Sequence, residues 1–411
     1  MSDRNGGDLG PGFRALFLGV LASNTGDGIR LAALPLLALS LTDSPFLISL
    51  VTVAQYLPWL VFAPVGGALV DRWSRRRTIL VTQAWRGLVM VALVLLVATD
   101  RAELWHLAVV AFVITVGEIL VDPATVALVP NVVRDEQLER ANSRIASAEI
   151  LTNDVGGGPV GSALFGFAPW LPFVVDAASY LGSVVPFRGL PRDPGRSDAS
   201  SGSLRSSAIS VVAEAREGFG WLRRHPVLGP LTVAQVVYFF GLAASLSLFV
   251  VVVVDELGAS EAAFGVLLAV GAVGALFGTT LAPRVAARGW TNAAIVGGVV
   301  VQGVTLAITP LAPVVAVAGV LWFLNGVPAG LSRPLVRGIQ QRHTPNELLG
   351  RINVTTRIFT RGVIILGALV AGSTAAVVDV RAAFAVAGAA QLVSALMMWR
   401  ALGRSAVTES A

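Results

Sequence analysis

The chain has 411 residues, 55% of them hydrophobic and 13% charged, which leaves too few polar side chains to clothe a water-soluble body of this length. The net charge is only +5, and the arginines come in short clusters between long apolar runs, a pattern that carries topology and not a nucleic-acid footprint. All 30 basic residues are arginine, and the lack of cysteine excludes disulfides, thiolate metal sites and cysteine nucleophiles.

A helix needs roughly 20 apolar residues to cross the hydrocarbon core of a bilayer. Measured against that ruler, the sequence predicts spans near 13–41, 46–70, 78–99, 104–128, 143–168, 170–189, 227–254, 262–283, 291–309, 313–335, 354–377 and 381–401. The first follows a Gly- and Asp-rich segment and reads as a retained helix, since it is too long and lacks a small-residue cleavage signal. The ninth and tenth come from one charge-free stretch, Gly289 to Ser332, broken by Thr309-Pro310-Leu311-Ala312-Pro313. This is an all-α membrane protein of twelve transmembrane helices.

Arginine bias orients it. On one face lie Arg72, Arg75, Arg76 and Arg77, then Arg134 and Arg140, the arginines from Arg188 to Arg224, Arg284 and Arg288, those from Arg337 to Arg351, and Arg404; the opposite loops hold only Arg101 and Arg381. By the positive-inside rule the arginine-rich face is cytoplasmic, and both termini with it. The Ser/Gly/Asp/Arg-rich interval from Pro191 to Ser207, followed by an amphipathic stretch ending at Arg224, divides the chain nearly in half. The expected organisation is therefore a six-helix bundle over 1–190, a cytoplasmic linker over 191–225 and a second six-helix bundle over 226–411.

The two halves echo each other. Gly66, Leu69, Arg72 and Arg76 are matched by Gly278, Leu281, Arg284 and Arg288, and Asp135-Glu136-Gln137-Leu138 with Asn142 by Pro345-Asn346-Glu347-Leu348 with Asn353. Two matches at nearly one spacing argue for duplication of a six-helix unit. Such a duplicate places a substrate path near the midplane between halves.

Charges embedded in the spans are the candidate chemistry, because a carboxylate in lipid is costly unless it is paired, wet or protonated. Asp27 lies midway along the first span, three residues before Arg30 and on about the same face; it reads as a proton carrier or substrate anchor, or as half of a structural ion pair. Glu118 and Asp122 share a face of the fourth span, where two acids repel and one tends to hold a proton. Asp154 sits beside Gly156-Gly157-Gly158-Pro159, a run that would unwind or bend the fifth helix as a hinge, or serve as a seam for close packing. Glu149 forms a weaker pair with Asp154, and Arg86, Arg357 and Arg361 are candidate partners for both. Asp176 is placed nearer the outer face. Aromatic residues including Tyr56, Trp59 and Tyr238 could stack on a flat or cationic substrate.

The loop after the second span reads Gly67-Ala68-Leu69-Val70-Asp71-Arg72-Trp73-Ser74-Arg75-Arg76-Arg77. It resembles the signature of the major facilitator superfamily, with Ser74 in place of the usual second glycine. Gly26-Asp27 followed by Leu34-Pro35-Leu36-Leu37, the Leu128-Val129-Pro130 exit, the Arg223-Arg224-His225-Pro226 entry and the Pro345-Asn346-Glu347-Leu348-Leu349-Gly350-Arg351 loop resemble its enterobactin-exporter and macrolide-efflux branch. The fourth span lacks the arginine many drug/proton antiporters carry, and the fifth has a looser form of their glycine-proline motif.

The resemblance implies proton-driven export of an amphipathic small molecule by alternating access. Uptake or lysolipid flipping by the same fold is the alternative. It also implies a conformational lock at Gly67, Asp71, Arg72, Arg75 and Arg76, stabilising the state open to the outside. An intramembrane enzyme is disfavoured, since His106, His225 and His343 lie near span ends or loops and no nucleotide-binding loop is present. The expected setting is a bacterial inner membrane, with a monomer that meets a small-molecule substrate and lipid but no nucleic acid, needs no cofactor or metal, and draws on the proton gradient.

Overall fold

A computed structural model of the chain describes residues 9–62, 73–191 and 216–408, with the side chains of Asp154, Asn346 and residues 404–408 outside the described set. The described segments are helical, in the order α1 (Gly10–Leu41), α2 (Pro45–Val61), α3 (Arg75–Ala98), α4 (Leu104–Val132), α5 (Leu138–Phe167), α6 (Leu171–Phe187), α7 (Leu228–Val251), α8 (Glu261–Ala287), α9 (Thr291–Ile308), α10 (Val315–His343), α11 (Leu349–Val377) and α12 (Val380–Thr408). Eight stretches of the described chain are long and apolar enough to cross a membrane, and two shorter apolar helices, α2 and α6, accompany them.

Local signals set the boundaries. Ser74 caps α3, its hydroxyl accepting from the Arg77 N–H at 3.4 Å, so the serine that departs from the loop signature serves as a helix start. Ser260 does the same for α8. Asp100 ends the α3 turn at a φ of 53°, a conformation Asp tolerates better than most residues. The Thr309–Leu311 segment is a single 3₁₀ turn joining α9 to α10, as the proline pair predicts.

The helices sort into two compact units. One holds α1 up to Leu34 together with α3 to α6; the other holds α1 from Pro35, α2 up to Leu60 and α7 to α12. The first unit packs α3 against α4 and α6, and the second packs α9 against α10 and α12 in the same pattern.

Seams of small residues bring helices together. In the second unit a Cβ on Gly274, Gly278, Gly326 or Gly330 would run into the backbone of the facing helix across the α8/α10 seam. Backbone contact of this kind substitutes for a hydrophobic driving force, which lipid does not supply. Outward positions stay apolar, with Leu88 63%, Val185 68% and Phe167 89% exposed. Arg30, Arg86 and Asp176 are meanwhile buried. Charge inside and grease outside is the distribution of an integral membrane protein.

α5 departs from regular α geometry just before the glycine-rich run. The helix widens to a π turn over Ile150–Gly156 and resumes at Gly157. A Cβ on Gly157 would strike the backbone of Gly28 on α1, and one on Gly161 the backbone of Ile29. These glycines are where α5 lies against α1.

Candidate functional site: a buried ion cluster in the first unit

Four helices of the first unit converge on a cluster of charge. From α1, Asp27 and Arg30 meet at 2.9 Å across one turn. From α3, Arg86 donates to Asp27 Oδ1 at 3.0 Å and to Gln83 Oε1 at 3.1 Å. From α4, Glu118 accepts from Arg30 at 3.1 Å and lies 3.6 Å from Arg86. From α6, Tyr180 donates to Asp27 Oδ1 at 2.5 Å and accepts from Arg86 at 2.8 Å, and Arg86 stands over its ring.

Asp176, one turn before Tyr180, is fully buried with Oδ2 3.4 Å from Arg30 Nε. That distance is an ion-pair distance without hydrogen-bond alignment. Among the described residues, both Asp176 oxygens, and Nε and Nη1 of Arg30, have no hydrogen-bond partner. Such orphaned polar atoms are uncommon in a buried site.

Glycines make the room. A Cβ on Gly26 would overlap Asp176 and Ser179, and one on Gly117 would sit 2.6 Å from the Arg86 side chain. The Gly26-Asp27 dipeptide thus pairs a carboxylate with the gap that lets α6 bring a second one beside it.

Among the described residues, three carboxylates lie within 4 Å of two guanidiniums. With all of these five ionised, they sum to one net negative charge in a medium that penalises it. One proton restores balance.

Residues 10–409 match the sequence profile of the transmembrane secretion effector family, within the major facilitator superfamily. The chain belongs to this family. It is therefore a major facilitator transporter and not an enzyme. Among relatives, the MFS-type transporter YfiS of Bacillus subtilis is 25% identical over 92% of this chain and 90% of its own. Macrolide efflux protein A of Streptococcus pyogenes is 25% identical over 76% of each chain, and the enterobactin exporter EntS of Shigella boydii is 24% identical over 84% and 80%. The fold matches the nucleoside transporter NupG with a TM-score of 0.77 at 10% identity, covering 95% of this chain and 99% of that one.

In this major facilitator transporter the sequence-predicted residues separate into groups. Asp27, Arg30 and Glu118 come together as members of one cluster. Asp122 lies one turn along α4 from Glu118 and, among the described residues, forms no ion pair with Arg30 or Arg86. The side chain of Asp154 lies outside the described set, and Glu149 is exposed.

Asp176 belongs to the same cluster. It is buried beside Arg30, in the space that Gly26 leaves where α1 packs on α6. Arg86 and Tyr180 complete the site. Arg86 was visible as a lone arginine within an apolar span; a tyrosine in such a span carries no comparable signal.

Of the signature loop, Gly67, Asp71 and Arg72 lie outside the described residues. Arg75 donates to the Ala127 carbonyl at 3.1 Å and Arg76 to the Arg188 carbonyl at 2.7 Å, serving carbonyls near the C-terminal ends of α4 and α6.

Proposed function

We propose that this transporter exports an amphipathic small molecule across a bacterial inner membrane in exchange for protons, by alternating access, with both termini in the cytoplasm. The observation that carries the reading is the charge count of the cluster among the described residues: three carboxylates held around two guanidiniums, with Asp176 lacking aligned donors there.

Arg30 reaches Asp27, Glu118 and Asp176 at once, so adding a proton to one acid weakens that contact and strengthens the others. Such an exchange changes how tightly α1, α3, α4 and α6 are held together. A proton bound in one conformation and released in another shifts the balance between them by its differential affinity. The printed names of the macrolide and enterobactin relatives support the outward direction, and the arginine bias supports the orientation. The signature-loop residues Gly67, Asp71, Arg72, Arg75 and Arg76 would stabilise the outward-open state.

Everted vesicles test this reading. Acidifying the lumen should drive uptake of macrolides, cationic dyes or catecholate siderophores, and Asp27→Asn should abolish the gradient dependence. Movement that ignores the pH gradient would reject proton coupling, and accumulation only in right-side-out vesicles would reject export.

A further inference from the structure

The second unit balances its charges differently. Its carboxylates sit at helix ends and loops: the sequence has no Asp or Glu between Glu261 and Glu347, nor between Glu347 and Asp379. Two of them are taken, Glu217 by Arg351 at 2.5 Å and Glu256 by Arg381 at 2.9 Å. Yet α11 carries Arg361 twelve residues beyond its first residue, Leu349, about 18 Å along a helix that rises 1.5 Å per residue. Arg357 lies one turn earlier. Among the described residues neither arginine has a carboxylate partner.

What Arg361 has is a pair of rings from α2. Its guanidinium carbon stands 4.4 Å from the centre of the Trp59 ring and 5.8 Å from that of Tyr56. Close packing of α11 on α2 sets the placement, since a Cβ on Gly372 would overlap Ser49 and one on Gly362 would touch Leu60 at 3.5 Å. Stacking on a ring stabilises the cation through its face while leaving the in-plane N–H donors open to a planar anion. Half-buried, Arg361 is reachable; exposed, Arg357 adds a second positive charge on the same side of the helix.

We infer that Arg361, Arg357, Trp59 and Tyr56 form an anion-recognition site, taking a carboxylate, sulfonate or phosphate group attached to a flat apolar body. The inference names the substrate class of the export reading and rests on it. Of the flat or cationic substrate expected for these aromatic residues it keeps the flat one: an arginine already occupies the rings, and it calls for negative charge. A free amphipathic anion and an anionic lipid headgroup share this chemistry.

Equilibrium dialysis of the full-length protein in neutral detergent against 1-pyrenebutyrate, 1-pyrenebutyramide and 1-pyrenemethylammonium tests the site directly. The carboxylate should bind about ten-fold more tightly than the amide, the worth of one charge-assisted contact, and the ammonium least. Arg361→Gln should erase the preference, and Arg361→Lys should retain part of it. Equal affinity for the three probes, or preference for the ammonium, in the unmodified protein would overturn the site whether or not a variant folds. Repeating the binding in nanodiscs with and without phosphatidylglycerol separates the sources. Loss of pyrenebutyrate binding only with phosphatidylglycerol assigns the site to lipid, and unchanged binding assigns it to a free anion. In vesicles, anion binding without gradient-driven movement would leave the site standing and defeat the export reading. Gradient-driven movement of cations with no anion binding would do the reverse.

Discussion

Arg86 and Asp27 lie 59 positions apart on different helices and meet at 3.0 Å, with the Tyr180 hydroxyl bonded to both. The three groups form a closed triangle, so removing any one leaves two buried polar groups without their best partner. Different substitutions at this cluster therefore separate charge balance from structure.

Asp176→Asn leaves two carboxylates facing two arginines and removes no aligned hydrogen bond. It should fold at least as well as the unmodified protein yet lose pH-gradient dependence, because the cluster no longer needs a proton. Asp27→Asn should lose coupling and also stability, since Asp27 accepts from Arg30, Arg86 and Tyr180. Thermal unfolding monitored beside vesicle uptake distinguishes the two; equal stability loss in both would contradict the assignment.

Arg86→Lys keeps the charge but replaces a planar fork by a point donor that cannot span Gln83, Asp27 and Tyr180 together. A stability loss of about 3 kcal/mol is expected, the range for disrupting a buried pair. Tyr180→Phe should cost less, about 1–3 kcal/mol, for the partners it leaves unmet. Denaturation of the purified variants in detergent reads both, and a Tyr180→Phe loss exceeding that of Arg86→Lys would refute the ranking.

Gly157→Ala and Gly161→Ala push a methyl into the α1 backbone and should lower stability by about 1–3 kcal/mol, the usual cost of overpacking. Gly182→Ala on α6 meets nothing within 4 Å and should be neutral or slightly stabilising, as alanine favours helix. Expression yield and melting temperature check the contrast. Indifference at Gly157 would mean that α1 and α5 are not sealed there.

His225 precedes α7, and its Nδ1 accepts from the N–H groups of Val227 and Leu228 at 3.2 and 3.0 Å. Partial burial, and then the neighbouring His343, hold its pKa below the usual 6.5. The folded protein thus favours the neutral ring, while the unfolded chain binds a proton more readily. Stability from this cap is present above pH 6.5 and is lost as pH falls through the folded value. His225→Asn, which keeps an acceptor without titrating, should flatten that portion of the melting-temperature profile; an unchanged profile would remove His225 from the account.

Much of this protein is legible in its sequence. Apolar runs of bilayer length, Pro and Gly breaks and arginine clusters define the helices, since lipid demands them of any spanning chain. The cost of burying charge also marks Asp27, Arg30 and Glu118 without any structure.

The same cost marks that a charge needs a partner but not which one. Asp27 finds Tyr180 at a separation of 153 residues, and Arg361 finds two rings where an acid was expected. Those choices depend on which helix faces press together, and on glycines such as Gly26 and Gly117 that let them press closely. Sequence by itself determined the spans and the charges that must be compensated. Only the packing of α1, α3, α4 and α6, and of α2 on α11, decided the partners, because compensation is settled by distances of a few ångströms between segments far apart in the chain.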